Sequence, residues 1–210
     1  MNSIFTYINN AGCINYSEEI FLGHTFGQGH ISPDNKVFAV GIPKNASSSG
    51  NKFYSYNNFL KSNFNTFTPD EYIVIIRDPV ERWISGVIEY LMGNYGKLKF
   101  KNICDYLDNK LVKEILFDQV IFDVHTLPQI VYINGLDISK IKFYYQDTDV
   151  YDKIAYHQNL DRLPNNFAND KTNLDEYNYI KQLLLGYNKI NEIQKMYYCD
   201  YQLIDDVSFV

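Results

Sequence analysis

Three short apolar runs constrain the fold of this chain most strongly. Residues 72–76 read YIVII, and the runs at 36–41 and 141–145 are also rich in apolar, β-branched and aromatic residues. Runs without polar alternation are typical of strands buried on both faces, which is the usual state of strands in a parallel sheet. The sequence therefore predicts an α/β fold whose parallel sheet contains these three strands.

Helical patterns lie between and after these runs. Residues 48–63 are long enough for a crossover helix, so the first two strands are predicted to form a βαβ unit. A second helix is predicted from Pro79, because apolar residues recur at helical spacing behind it. Asp78 is the expected N-cap of this helix, and Glu81 stands where a capping box requires it, so the start of the helix is well defined.

The rest of the chain is predicted to complete the same domain. Residues 174–203 carry a helical apolar stripe interrupted near Gly186, which predicts one or two helices packed on the sheet. The Asn- and Asp-rich segment 158–172 is predicted to be a loop, either a lid or a surface excursion. Residues 1–210 are thus expected to form one domain, with residues 1–30 as an N-terminal extension of unassigned role.

Composition and charge exclude several classes of protein. Apolar residues make up 46% and aromatic residues 16% of the chain, which predicts a folded protein. The net charge of -6 argues against a broad nucleic-acid surface, so any anion site has to be local. Cys13, Cys104 and Cys199 give neither a disulfide framework nor a zinc spacing, and are predicted to be reduced, buried thiols. The pattern of a signal peptide or of a membrane span is not found, which predicts a cytoplasmic location.

A lysine and three serines follow the first predicted strand directly, in PKNASSS at residues 43–49. Ligands of open parallel sheets bind beyond the carboxyl ends of the strands, where a helix N-terminus offers backbone N–H groups to an anion. The segment does not match the GxxxxGK[ST] phosphate loop, which disfavours an ordinary ATP or GTP site. One ammonium, several hydroxyls and the helix dipole predict a small anion site. The alternative is a serine-rich N-cap beside a surface lysine.

A second anion site is predicted at the end of the next strand. Arg77 ends that strand, and Ser85 follows eight residues later on the capped helix. Ser85 lies about 10 Å along the helix axis, a span that the Arg77 guanidinium can cover with a phosphate held between them. Two anion sites on neighbouring strand ends imply a ligand with two separated anionic groups.

The two segments IPKNASSS and IIRDPVERWISG together resemble motifs of the sulfotransferase superfamily that uses 3'-phosphoadenosine 5'-phosphosulfate (PAPS). The closest resemblance is to the branch that contains carbohydrate sulfotransferases. A looser likeness extends to DVHTLPQ at 123–129, to FYYQDTDVYDKI at 143–154 and to YYCDYQLI at 197–204. The resemblance implies a P-loop-like three-layer core, with a central parallel sheet flanked by helices.

The resemblance also implies roles for individual residues. The 3'-phosphate motif corresponds to Arg77 and Ser85. The implied reaction transfers a sulfuryl group from PAPS to a hydroxyl acceptor, with a saccharide expected and without a metal. The candidates for binding the 5'-phosphosulfate end of the cofactor are Lys44, Asn45, Ala46, Ser47, Ser48 and Ser49.

Two catalytic roles follow from this reaction. Lys44 is expected to stabilise the negative charge that develops on the oxygen bridging sulfur to the nucleotide. A general base has to accept the proton of the acceptor hydroxyl. His125 is the first candidate, because it follows a strand-like run and has Asp123 two residues back on the same face. His30 and Glu89 are the reserve candidates, and a purely structural role for His125 is the alternative.

Two side chains of the predicted helix have competing interpretations. Arg82 is expected to be an exposed arginine paired with Glu81 or Glu89, and the alternative is contact with a phosphate. Trp83 falls on the apolar stripe, so packing in the core is favoured over stacking on adenine.

Two other functions stay open at the level of sequence. The first is a catalytically inactive relative that keeps the nucleotide pocket and acts as a binding or scaffold protein. The undetermined base favours it, as does Gln146, which stands where the resembled family commonly has Glu. The second is a small-molecule kinase, which is disfavoured because the sequence shows neither magnesium ligands nor a phosphate loop.

Overall fold

A mixed β-sheet organises the part of the chain that the computed structural model describes, which is residues 27–63, 68–94, 120, 124–164, 178–179, 181–182 and 189–210. Within these residues the spatial order of the strands is β3-β1-β2-β4-β5. The strands β2, β4 and β5 are parallel, whereas β1 runs antiparallel to both β2 and β3. The strands are β1 (Gln28–Ile31), β2 (Val37–Val40), β3 (Leu60–Asn63), β4 (Glu71–Ile76) and β5 (Ile141–Tyr145).

The helices of the described residues lie around this sheet. Short 3-10 helices span Val124–Thr126, Gln129–Ile133 and Ile138–Lys140. The α-helices are α1 (Ser47–Tyr56), α2 (Pro79–Asn94), α3 (Val150–Gln158), α4 (Lys189–Met196) and α5 (Tyr198–Asp206).

The three predicted strands and the helix from Pro79 are confirmed within one residue at each described end. Helices α4 and α5 confirm the later part of the stripe at 174–203, while Gly186 lies outside the described residues. In the predicted loop, residue 158 belongs to α3, residues 161–164 are irregular and residues 165–172 lie outside the description.

The expectation of a wholly parallel sheet is wrong, because β1 and β3 add two antiparallel pairings. The P-loop-like three-layer core is accordingly not confirmed, and the fold is α/β with a mixed sheet. The error has two sources: residues 28–30, expected in an N-terminal extension, belong to β1, and residues 48–63 were expected to form a single crossover helix. The helix ends at Tyr56, Asn58 takes a left-handed φ of 60°, and the following residues form β3 at the sheet edge. A left-handed asparagine is a common way to end a helix.

Strand β4 is buried on both faces, as its continuous apolar sequence predicts. Val74 and Ile76 pack on one face in a cluster with Ile130 and with Leu203 of α5. Alternate residues of β4 pack on the other face with helices α1 and α3. Because successive side chains of a strand point to opposite faces, helices and turns have to cover both sides of this strand.

Cys199 departs from its prediction. Its side chain is buried, as expected, but it is disulfide-bonded and not a reduced thiol. Disulfides are rare in the cytosol, so this bond does not favour the cytoplasmic location, which stays a prediction. Among the described residues, the helices are all too short or too polar to cross a membrane.

The N-cap of α2 provides a test of this local structure. The Asp78 carboxylate accepts a hydrogen bond from the backbone N–H of Glu81 at 2.9 Å. We expect Asp78→Ala to lower the free energy of unfolding by about 1 kcal/mol in urea denaturation, because one helix-terminal N–H loses its partner. Asp149→Ala is the matched control, since Asp149 is the N-cap residue of α3 but makes no side-chain cap bond. Equal losses in the two variants would contradict the assigned cap.

Candidate active site

The loop between β2 and α1 adopts an unusual backbone conformation. Lys44 and Ala46 have left-handed φ angles of 68° and 56°, which non-glycine residues rarely adopt. Two contacts hold Ala46: its carbonyl oxygen accepts hydrogen bonds from the Gly50 N–H and from the Tyr151 hydroxyl, both at 2.8 Å. Strain of this kind is typical of ligand-binding turns. The loop thereby brings the start of α1, whose first N–H groups have no acceptor within the helix, to the end of the parallel strands.

The loop borders a cleft of about 620 Å³. The cleft lies where β2 ends, beside the first residues of β1, since the Gly41 N–H donates to the Gln28 carbonyl at 2.8 Å. All three candidate bases contribute to its wall, together with three residues of the loop at 43–49 (the anion loop). These six residues are Lys44, Ser47, Ser48, His30, Glu89 and His125.

Lys44 is the lysine of the anion loop that lines this cleft. Its Nζ lies 3.2 Å from Oε2 of Glu89, and the lysine side chain is 26% exposed. This ion pair places Lys44 at the mouth of the cleft and not in the core. The pair also engages one of the reserve candidates for the base, because the carboxylate of Glu89 already holds an ammonium.

The other loop residues divide into two groups. Ser47 and Ser48 line the cleft. Ser49 and Asn45 have buried side chains. The Asn45 amide donates to the Ile75 carbonyl at 2.7 Å and to Oε1 of Gln129 at 2.5 Å. The Asn45 side chain therefore anchors the loop to the end of β4, and the resemblance alone did not indicate this.

Arg77 and Ser85 contact each other directly. Nη1 of Arg77 donates to Oγ of Ser85 at 3.0 Å and to the Lys44 carbonyl at 3.2 Å. The predicted proximity of the two side chains is thus present, and the same guanidinium reaches the anion loop. Burial lowers the pKa of Arg77, partly opposed by Glu81 and Asp78, but a guanidinium stays protonated in proteins.

The two predicted anion sites contact different groups of Lys44. Its side chain extends into the cleft, whereas its carbonyl oxygen faces Arg77. Among the described residues, the lining of the cleft includes neither Arg77 nor Ser85. The geometry therefore offers two neighbouring cationic positions joined by one loop.

His30 lies on β1 with its ring stacked on Tyr54, at a centroid distance of 5.3 Å and an interplanar angle of 26°. Its side chain is 7% exposed, and Nε2 has no hydrogen-bond partner within the described part of the chain. Burial, assisted by the charge of Lys61, lowers the pKa of the His30 imidazole. The lowered pKa favours the neutral ring, in which Nε2 is either a free acceptor or an unpaired donor.

His125 lies in a 3-10 turn. The sequence context had predicted a position at the end of a strand, and this prediction is wrong. The turn packs tightly on α2, because a Cβ atom at Gly86 would overlap the carbonyl oxygen of His125. Gly86 is therefore required for the close approach that brings His125 to the cleft wall. Asp123, the expected partner of His125, lies outside the described residues.

The expectation of an exposed Arg82 is wrong. Its side chain is 1% exposed, Nε donates to the Pro43 carbonyl at 3.0 Å, and Nη1 donates to the Leu127 carbonyl. Arg82 thus joins the anion loop to the segment after His125. Trp83 is buried and donates from Nε1 to the carbonyl of Val120 at 2.6 Å, which confirms the core interpretation.

Sequence reasoning assigned no role to Gln129 and Asp200, although both belong to segments that carried the looser resemblance. The structure brings them together in a buried polar cluster with Asn45 and the backbone of Arg77. The signals present in the sequence were a glutamine and an aspartate inside otherwise apolar segments. Buried polar side chains of this kind are almost always hydrogen-bonded.

Comparison of this chain with protein-family models, with curated proteins and with solved structures gives no match. Clusters of three or more His, Cys, Asp or Glu side chains suited to a metal ion do not occur among the described residues.

Proposed function

We propose that this protein is a sulfotransferase that transfers the sulfuryl group of PAPS to a hydroxyl of an acceptor, with a carbohydrate as the preferred acceptor class. The observation that carries the proposal is the double contact of Arg77, whose Nη1 binds both Ser85 and the carbonyl of Lys44. This contact joins the two anion motifs into one site, as a nucleotide with separated 5' and 3' charges requires.

The finer description of the fold belongs to the same proposal. The order β2, anion loop, α1 and then the parallel strands β4 and β5 supports a P-loop-like core. Helices α1 and α3 cover one face of this parallel half, and α5 packs with the apolar cluster of the other face, which supports three layers. The antiparallel strands β1 and β3 are then an extension at one edge of that core.

In the proposed reaction, the 5'-phosphosulfate lies against the N-terminus of α1. The backbone N–H groups and the hydroxyls of Ser47 and Ser48 bind its oxygens, and Lys44 supplies the positive charge. The acceptor oxygen forms a bond to sulfur while the bond from sulfur to the bridging oxygen breaks. The electron pair of that bond stays on the nucleotide phosphate, where Lys44 stabilises the charge.

The 3'-phosphate is assigned to Arg77 and Ser85. Their mutual hydrogen bond is exchanged for charge-assisted bonds to the phosphate oxygens, which are shorter and stronger than bonds between neutral groups. Arg77 keeps its contact with the carbonyl of Lys44, so binding at the 3' end also supports the loop at the 5' end.

The acceptor is assigned to the part of the cleft formed by β1, β3 and α1. The wall there carries the amide, ammonium and hydroxyl groups of Gln28, Asn51, Lys61 and Ser62. Such a wall supports a polar, polyhydroxylated acceptor over an apolar one. The net charge of -6 continues to argue against a nucleic-acid partner.

The base is best assigned to His30, with His125 as the alternative. Glu89 is paired with Lys44, whereas His30 belongs to the lining of the cleft and its Nε2, which is buried, has no hydrogen-bond partner in the described residues. Because burial lowers the pKa of His30 from 6.5, we expect kcat/KM to rise with pH through a value below 6.5 and to be level at neutral pH. A neutral imidazole accepts the proton, and protonation at lower pH removes this ability.

The pH profiles of two matched variants test this assignment. His30→Gln should lose most of the turnover together with the acid limb, while His125→Gln should keep the limb at the same pH. The reverse result would move the base to His125.

The function itself is tested by calorimetric titration with 3'-phosphoadenosine 5'-phosphate and with adenosine 5'-monophosphate, which lacks the 3' group. We expect the first ligand to bind at least about tenfold more tightly. Incubation with radiolabelled PAPS and a panel of simple sugars and glycosides should then give a labelled product. If neither nucleotide binds, the proposed function is wrong.

The ion pair of Lys44 with Glu89 also favours a second candidate, a nucleotide-binding protein without turnover. A carboxylate beside the expected sulfuryl position repels the anionic donor and occupies the ammonium. Binding of 3'-phosphoadenosine 5'-phosphate, combined with no transfer to any acceptor of the panel, would select this candidate.

A further inference from the structure

The side chain of Gln129 is the centre of a buried polar cluster. Its Oε1 accepts from the backbone N–H of Arg77 at 2.9 Å and from the Asn45 amide at 2.5 Å, and its Nε2 donates to the carbonyl of Arg77 at 2.7 Å. Gln129 is fully buried. The amide thus binds both polar groups of the Arg77 backbone, as a neighbouring strand would, and also holds the anchor of the anion loop.

Asp200 of α5 in turn holds Gln129. One carboxylate oxygen, Oδ2, accepts from the Gln129 N–H at 2.8 Å, and the other, Oδ1, accepts from the Ile130 N–H at 2.9 Å. These are the first N–H groups of the 3-10 helix Gln129–Ile133, which the helix itself leaves unpaired. Oδ2 also lies 3.5 Å from Nε2 of Gln129, so the carboxylate contacts both the backbone and the side chain of this residue.

The cluster acts on two residues of the proposed nucleotide site. Arg77 directs its guanidinium to Ser85 and to the loop carbonyl of Lys44. Asn45 ties the loop to Ile75, two residues before Arg77. A side chain held by several buried hydrogen bonds has one orientation, because each alternative leaves a buried polar group unpaired. Gln129 therefore contributes to the spacing between the loop and the guanidinium, together with the direct bonds of Asn45 to Ile75 and of Arg77 to Lys44.

We infer that Gln129 and Asp200 are positioning residues for the nucleotide site: Asp200 orients Gln129, and Gln129 clamps the backbone of Arg77 against the anchor of the anion loop. Neither residue is required to touch the nucleotide. The inference rests on the proposed function for its ligand, but the clamp itself is a property of the unliganded protein. The C-terminal helix α5 thereby becomes part of the binding machinery.

The test uses the full chain with Gln129→Met, which keeps the length of the side chain and removes its hydrogen bonds. We expect its affinity for 3'-phosphoadenosine 5'-phosphate to fall about 10- to 100-fold, because a displaced guanidinium loses alignment with the phosphate oxygens that it binds by charge-assisted hydrogen bonds. Amide hydrogen exchange should accelerate in peptides covering 43–50 and 75–79. Asp200→Asn is the second variant, and it should show the same changes at smaller size.

Ser32→Ala is the matched control. Ser32 is buried directly after β1, its hydroxyl accepts from the N–H groups of Lys36 and Val37, and it does not line the cleft in the described part of the chain. This variant should lose stability without a change in nucleotide affinity or in exchange at 43–50. If affinity falls in all three variants in proportion to stability, the role of Gln129 is merely structural and the inference is wrong.

The outcomes separate the clamp from the proposed function. A wild-type protein that does not bind the nucleotide overturns the function, while exchange at 43–50 in the variants still tests the clamp. A folded Gln129→Met protein with wild-type affinity and wild-type exchange overturns the clamp while the function stands. If Gln129→Met does not fold, Asp200→Asn decides by the same two measurements.

Discussion

Lys44→Ala is expected to lower kcat by at least about 100-fold at saturating donor. One well-aimed donor to the developing charge contributes about 3 to 4 kcal/mol to the transition state. The fold should be unaffected, because the Lys44 side chain is partly exposed and its partner is the half-exposed carboxylate of Glu89. Such ion pairs contribute little to stability. Initial rates with radiolabelled PAPS measure the effect, and thermal unfolding checks the fold.

Lys52→Ala is the control for this variant. Lys52 is an exposed lysine on α1, the helix that follows the anion loop, and it does not line the cleft within the described part of the chain. Both changes remove one positive charge close to the anion loop, so a general loss of positive potential should affect them alike. Wild-type turnover in Lys44→Ala, or an equal loss in Lys52→Ala, would contradict the role of Lys44.

Arg77→Ala is expected to abolish the preference for the 3'-phosphorylated nucleotide. Removing one partner of a buried, hydrogen-bonded charge pair costs about 2 to 4 kcal/mol, or roughly 30- to 1000-fold in affinity. Calorimetric titration should show weaker binding of 3'-phosphoadenosine 5'-phosphate and little change for adenosine 5'-monophosphate. Arg77→Lys keeps the charge but lacks the planar fork, so it should recover only part of the loss.

Arg162→Ala is the control for Arg77, since the Arg162 side chain is 67% exposed and pairs only loosely with Asp152, at 3.9 Å. It should leave both affinities unchanged. If Arg77→Ala still distinguished the two nucleotides as the wild type does, the 3'-phosphate would have to bind elsewhere. That result would also mean that the double contact of Arg77 no longer supports the proposed function.

The local signals in the sequence were sufficient for the central strands and for α2. The run YIVII became β4, and Asp78 caps the helix that begins at Pro79. Such elements depend on neighbouring residues, so burial pattern and capping can be recognised without the rest of the fold. The edge strand β3 was missed because Leu60–Asn63 pairs with β1, about thirty residues earlier, and two of its four residues are exposed. An edge strand with few apolar residues has a weak pattern of its own.

The sequence by itself was enough to predict the candidate anion-binding residues, Lys44 with its serines and Arg77 with Ser85, because the members of each group are close along the chain. Only the tertiary structure decided how they are held. Gln129 lies 84 residues after Asn45 and 71 residues before Asp200, yet it binds both. Arg82 was expected to pair with a glutamate at the surface, but it is buried and donates to the carbonyl of Pro43. The physical reason is that a buried polar group has to find a partner wherever the folded chain supplies one. The packing of distant segments decides which group becomes that partner, so the spacing of residues along the sequence does not predict it.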